Sequence, residues 1–189
     1  MKRTNLFLLA MLSLFTISCN NSSRQGKAEL KIIVDYEKQS GHGSNQYAIW
    51  IEDAEGTLVK TLFVTSFTAD GGYVPRPACT PIWVKKANPD NLSIEDVDAF
   101  SGATPQSGLQ TYTWDLTDNN GTPVANGTYT FVVEGTLYGD SEVIFKALVT
   151  VGGKETSIDI EPSFTSENEK NKGMIKSVKA EYTKSKTSA

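Results

Sequence analysis

Trp114-Asp115-Leu116-Thr117-Asp118-Asn119-Asn120-Gly121-Thr122-Pro123-Val124-Ala125-Asn126-Gly127-Thr128-Tyr129-Thr130-Phe131 decides the fold class. Trp114 closes one strand, Gly121 supplies a turn, Val124 packs inward, and Gly127 turns into a strand carrying Tyr129 and Phe131. Downstream, 128–137 (TYTFVVEGTL), 142–151 (EVIFKALVTV) and 156–160 are further β-branched and aromatic runs. Asn119-Asn120-Gly121, Asn126-Gly127, Tyr138-Gly139-Asp140 and Gly152-Gly153 separate the runs as hairpin punctuation. Upstream lie 110–116 (QTYTWDL), 47–53 (YAIWIED) and 28–36 (AELKIIVDY), with Glu55-Gly56 turning 47–53 into 58–66 (LVKTLFVTS). A last strand falls at 174–182, although Ile175 and Val178 are spaced three apart. Seven or eight short strands joined by such turns predict an all-β antiparallel sandwich. Trp50, Trp114, Tyr129, Phe131 and Val133 are its expected core, with Trp114 and Tyr129 at one edge.

One stretch breaks the rhythm. Residues 67–109 hold no long strand, and a loop of that length in a compact domain usually has a purpose. Within it, Thr80-Pro81 reads as N-cap and N1 of a short helix through about Lys86, whose Trp83 packs on the sandwich. Ser93-Ile94-Glu95-Asp96 resembles a capping box with Asp in the last place. The Lys-rich segment 170–186 reads as a solvated edge strand followed by a frayed tail, 184–189.

The N-terminus is an export address. Lys2-Arg3 precedes the apolar run 6–12, and Thr16-Ile17-Ser18-Cys19 sets small residues before a cysteine. This resembles a bacterial lipoprotein signal, which implies removal of 1–18 and lipidation of Cys19. The polar residues 20–27 would form a tether to a domain spanning 28–183. No acidic cluster follows Cys19, so the periplasmic face of a cell-envelope membrane is the expected location. Acyl chains, each buried CH₂ contributing about 0.8 kcal/mol, would supply the membrane contact. With Cys19 acylated, Cys79 has no disulfide partner and is expected to be a buried, inert thiol.

The chain has 189 residues, with 18 Lys+Arg against 22 Asp+Glu for a net charge of −4. That balance leaves no electrostatic footprint for nucleic acid. Two Cys and one His exclude a disulfide scaffold and a His- or Cys-rich metal site. His42 stands alone in Gly41-His42-Gly43. Asp70, Asp90, Asp96 and Asp98 do not follow the oxygen spacing of a calcium loop. Ser101-Gly102 and Ser107-Gly108 are not nucleophile elbows, so no enzyme and no metal are expected.

Three resemblances add to this reading. The 114–131 pattern resembles the Ig-like module of flagellar hook-capping and cell-surface proteins, which implies an Ig-like sandwich. Asp98-Ala99-Phe100-Ser101-Gly102-Ala103-Thr104 resembles the acceptor motif of covalently flavinylated periplasmic proteins. In those an exported flavin transferase moves FMN from FAD onto a threonine hydroxyl. The resemblance implies that Thr104 is the acceptor, that Asp98 helps present it, and that Ser101, Gly102 and Ala103 complete the site. Gly102 and Ala103 would let enzyme and flavin approach the backbone. The competing reading of the same residues is a Gly-containing turn in which Asp98 and Ser101 bond local backbone.

Finally, five groups recur in this order in the predicted periplasmic family catalogued as domain of unknown function 2271. They are Tyr47-Ala48-Ile49-Trp50-Ile51-Glu52-Asp53, Gly56-Thr57-Leu58-Val59-Lys60-Thr61-Leu62, Pro81-Ile82-Trp83, Val97-Asp98-Ala99 with Gly102-Ala103-Thr104, and Tyr112-Thr113-Trp114-Asp115. The resemblance spans roughly 30–151 and implies association with flavin transferases and membrane redox proteins. The leading expectation is therefore a lipid-anchored accessory of an extracytoplasmic redox or flavin-linked system, with covalent FMN on Thr104 lying over Trp83 or Tyr73. The alternative is a non-enzymatic binding or interaction module whose long loop contacts a ligand through Tyr73, Arg76 and Trp83.

Overall fold

Alternation in the first strand, ELKIIVDY, sets the pattern for the whole molecule. In a computed structural model, describing residues 27–40, 45–138, 141–164 and 173–185, β1 (Glu29–Tyr36) buries Leu30, Ile32, Val34 and Tyr36 and turns its intervening side chains outward. It joins β5 (Gly108–Trp114), β8 (Thr156–Ile160) and β10 (Ile175–Thr183) in a four-stranded sheet of order β5-β1-β10-β8. Facing it is a six-stranded sheet of order β4-β3-β2-β6-β7-β9. Its strands are β2 (Gln46–Glu52), β3 (Leu58–Thr65), β4 (Ser101–Gly102), β6 (Gly127–Tyr138), β7 (Ser141–Val151) and β9 (Pro162–Phe164). Every pairing is antiparallel except β3 with β4. The chain is thus the expected all-β sandwich. Its strands exceed seven or eight because β4 and β9, two and three residues long, are too short to leave a periodic signal.

The inter-sheet core gathers Leu30, Ile32 and Val34 from one sheet against Ile49, Ile51, Phe131, Val133 and Phe145 from the other. Trp114 and Tyr129 meet edge to face, ring centroids 5.2 Å apart, as expected of one core edge. Trp114 is fully buried, whereas Tyr129 is half-buried and donates its hydroxyl to Ala125 O at 2.9 Å.

Strand β2 departs from alternation: all seven of its residues are buried. Its outer face is covered by the 67–100 insertion, which carries α1 (Pro81–Ala87) and α2 (Ile94–Phe100). There Ala48, Trp50 and Val132 pack with Ala69 and Trp83 in a second cluster. Trp50 is therefore buried as expected, but on the helix-covered face rather than between the sheets. Burying a large apolar side chain contributes about 1.5–3 kcal/mol, so this outer cluster ties the insertion to the sandwich.

Two expectations about the sheets are corrected. The Lys-rich β10 is not an edge strand but lies between β1 and β8. Its pattern of Ile175, Val178, Ala180 and Tyr182 inward leaves Lys176 and Lys179 to pair with Glu37 and Asp159 on the solvent face. Nor do all the expected hairpin turns join paired strands. Asn119-Asn120-Gly121 and Asn126-Gly127 lie on the crossing from β5 to β6 in the opposite sheet, and Gly152-Gly153 carries the chain from β7 in one sheet to β8 in the other, because β7 already has β6 and β9 as partners.

Candidate functional site

The insertion is built in sequence from its own capping residues and one distant carboxylate. Thr80 has φ 39° and ψ 60°, a left-handed conformation in which its side chain caps nothing. The expected N-cap bond is supplied instead by Glu134 of β6, whose two carboxylate oxygens accept from Ile82 N–H at 3.0 Å and Trp83 N–H at 2.9 Å. Glu134 is fully buried. Burial pushes its carboxyl up to about 7, the two backbone donors oppose that rise, and Glu142 adds to it. The expected capping box does form: Ser93 Oγ accepts from Asp96 N–H, and Asp96 Oδ2 accepts from Ser93 N–H, which opens α2.

The acceptor-like motif begins in the last turns of that helix. Asp98 is exposed near the C-terminal end of α2, after which Ser101 and Gly102 run parallel to β3 opposite Val64 and Thr65. Gly102 lies against Phe63, such that a Cβ at residue 102 would sit 2.8 Å from Phe63 Cε2. The glycine therefore serves packing as well as access. Ala103 is exposed and Thr104 is half-buried, in a segment outside the ladders. The Thr104 hydroxyl donates to Asn45 O at 3.4 Å, a long bond. Asn45 is itself pinned, accepting from Gln39 N–H at 2.8 Å and donating to Gln39 O at 3.0 Å. Among the described residues, neither the Asp98 carboxylate nor the Ser101 hydroxyl has a bonding partner.

Beneath Gly102 lies an aromatic cluster that sequence reasoning missed. Phe63 stands 5.1 Å from Tyr112 and 5.0 Å from Tyr47, and Tyr47 stands 5.3 Å from Tyr36. The Tyr47 and Tyr112 hydroxyls bond to each other, while the buried Tyr36 hydroxyl has no partner among the described residues. Burial pushes Tyr36 and Tyr112 up to about 12, and raises Tyr47 further. Phe63 and Tyr112 are half-buried, and the Phe63 ring lies directly against Gly102 of the motif. Inward spacing on β1, β2 and β5 was the available signal, but it does not say that these strands meet at the same end.

The ligand-contact candidates of the long loop do not come together as a site. Trp83 is fully buried, with its Nε1–H donating to Thr61 Oγ1 at 3.1 Å and its ring 6.0 Å from Phe100. It is a core residue and offers no face to a surface flavin. Tyr73 is half-buried and donates to Asp90 at 2.6 Å, and the Arg76 guanidinium lies 5.5 Å from the Phe67 ring centroid. Cys79 is buried, and burial raises its thiol, as expected of an inert cysteine. Cys19 and the signal, His42, and most of the tail lie outside the described residues.

A family model described as predicted periplasmic protein, DUF2271, matches residues 27–167. The chain belongs to that family. The match takes in both sheets of this DUF2271 protein from β1 to β9, and only β10 falls beyond it. No curated protein and no solved structure matches the chain. Among the described residues, no helix is long and apolar enough to cross a membrane.

Proposed function

We propose that this DUF2271 protein is an accessory of an extracytoplasmic redox system, tethered to the membrane by an acylated Cys19 and carrying FMN as a phosphoester on Thr104. What supports the reading is the state of the motif's polar groups. A structural turn would use Asp98 and Ser101 on local backbone, yet both side chains lack partners among the described residues. Thr104 is held by a single 3.4 Å bond. The residues fit the group: a weakly engaged hydroxyl, an exposed Ala103 beside it, and half-buried Phe63 and Tyr112 near Gly102 as ring surfaces in place of Trp83.

In the transfer, the Thr104 oxygen forms a bond to the FMN phosphorus of FAD as the pyrophosphate bridge breaks. AMP leaves, and the hydroxyl proton passes to a base on the transferase. Bound there, FMN supplies one- and two-electron redox chemistry. The chain's own part is to present Thr104 and hold the product. Co-expression with an exported flavin transferase is expected to add one FMN-phosphoryl mass, and Thr104→Val to abolish it. A wild-type protein that stays unmodified under conditions labelling a known acceptor would overturn the proposal.

A further inference from the structure

Between the edge of β3, one side of α2 and the turn at 115–121 lies an open groove of about 690 Å³, within the range of small-ligand sites. Its polar wall is held in place by internal bonds. Asn119 donates its backbone N–H to Val59 O at 3.0 Å and accepts from Thr61 N–H on its Oδ1 at 3.1 Å, which leaves its side-chain NH₂ without a partner among the described residues. Lys60 bonds Asp115 Oδ1 at 3.0 Å and also Thr117 Oγ1, so Asp115 keeps its second oxygen. Asp96 likewise commits one oxygen to its capping box. The Asn120 side chain is exposed and has no bond among the described residues. Opposite these groups the lining is apolar: Leu92, Ala99 and Phe100.

This combination selects a ligand chemistry. Lys60 is already paired with Asp115 and the remaining charge is the Asp96 carboxylate, so an anion has nothing to attract it. A peptide cannot extend β3 here, since Val59 C=O and Thr61 N–H are taken by Asn119. No group of three or more metal-ligating side chains occurs among the described residues. What remains is a set of amide donors and carboxylate acceptors facing an aromatic and aliphatic wall. Hydroxyl groups, each both donor and acceptor, match the first, and the C–H face of a sugar ring matches the second. We infer that this groove binds a neutral oligosaccharide, independently of any modification at Thr104.

The test is an amide chemical-shift titration of the full-length chain carrying Cys19→Ser, not flavinylated, with chitotetraose, cellotetraose and maltotetraose. Saturable shifts are expected at Thr61, Ala99, Asn119 and Asn120 with at least one of the three. Asn120→Ala should weaken binding about five- to tenfold, the effect of losing one hydrogen bond. Ala99→Trp, placed at an exposed position, should fill the groove and abolish binding while leaving the remaining spectrum intact. Absence of shifts with all three sugars would overturn the inference. So would shifts that survive both substitutions, or the same shifts produced by inorganic phosphate or tetra-alanine.

Discussion

Replacing Glu134 by Gln tests how the insertion is fastened to the sandwich. The glutamate sits fully buried on β6 and accepts from the first two free N–H groups of α1. Burial raises its carboxyl from an ordinary 4.5 to about 7 in the folded protein. Between those values the unfolded chain has released the proton and the folded chain has kept it, so stability falls as pH rises. The contribution is fully present below pH 4.5 and is lost as pH passes through 7. Over that interval, at about 1.4 kcal/mol per pH unit, the loss amounts to about 3 kcal/mol. The substituted amide cannot titrate, and its NH₂ meets one of the two backbone donors. Glu134→Gln should therefore destabilise the protein by about 1–3 kcal/mol at pH 4.5. The variant should also lack the decline between pH 4.5 and 7 that Glu134 gives the wild type. Urea unfolding of both proteins at half-unit pH intervals is the assay. Glu142, which burial also raises and whose charge adds to the rise at Glu134, is present in both proteins, so the readout is the slope between pH 4.5 and 7 that disappears with the Glu134 carboxyl. Parallel stability curves for the two proteins would refute the reasoning.

Three further outcomes are expected. Gly102→Ala brings a methyl within 2.8 Å of the Phe63 ring and should cost about 1–3 kcal/mol in urea unfolding, with an unchanged midpoint counting against close packing there. Tyr112→Phe leaves the Tyr47 hydroxyl without its partner, at about 1–2 kcal/mol, and removes one of the tyrosines that ionise near pH 12 in an alkaline absorbance titration. In the Cys19→Ser chain, Cys79 should resist a thiol reagent until urea is added; rapid labelling of the native protein would contradict its burial.

The longer strands were legible because each carries a local run of apolar, β-branched and aromatic residues ended by turn residues, a signal that β4 and β9 are too short to leave. The capping box at Ser93 was equally local. Information that depends on partners in space was not legible. Nothing near Gly152-Gly153 says that β8 joins the opposite sheet, and nothing in the lysines of β10 says that β1 and β8 flank it. The short helix at Pro81 and the packing of its Trp83 on the sandwich were legible from Thr80-Pro81, but the second reading of Trp83 as a ligand contact was not resolved until the outer face of β2 was seen to bury it. Glu134 offered the subtlest hint: a lone carboxylate within the apolar run Val132-Val133-Glu134 asks for buried donors. Naming them required knowing that α1 begins with Thr80 in a left-handed conformation and no cap of its own. For the motif, residue identities suggested an acceptor. Only the folded chain reveals that Asp98 and Ser101 are left unpartnered among the described residues while Gly102 is committed to Phe63.

The pairing of β1 with β10 has a consequence for how such a protein is made. Leu30 lies opposite Tyr182, so the first described strand can complete its place only after the last has been delivered. Until then β1 has β5 on one side and an open edge on the other, and the four-stranded sheet cannot close. Contacts between distant parts of a chain form slowly, because loop closure must precede the burial that rewards it. In a member of a family described as periplasmic, β10 is thus the clasp of the smaller sheet: without it β1 and β8 would each present an open edge to neighbouring chains.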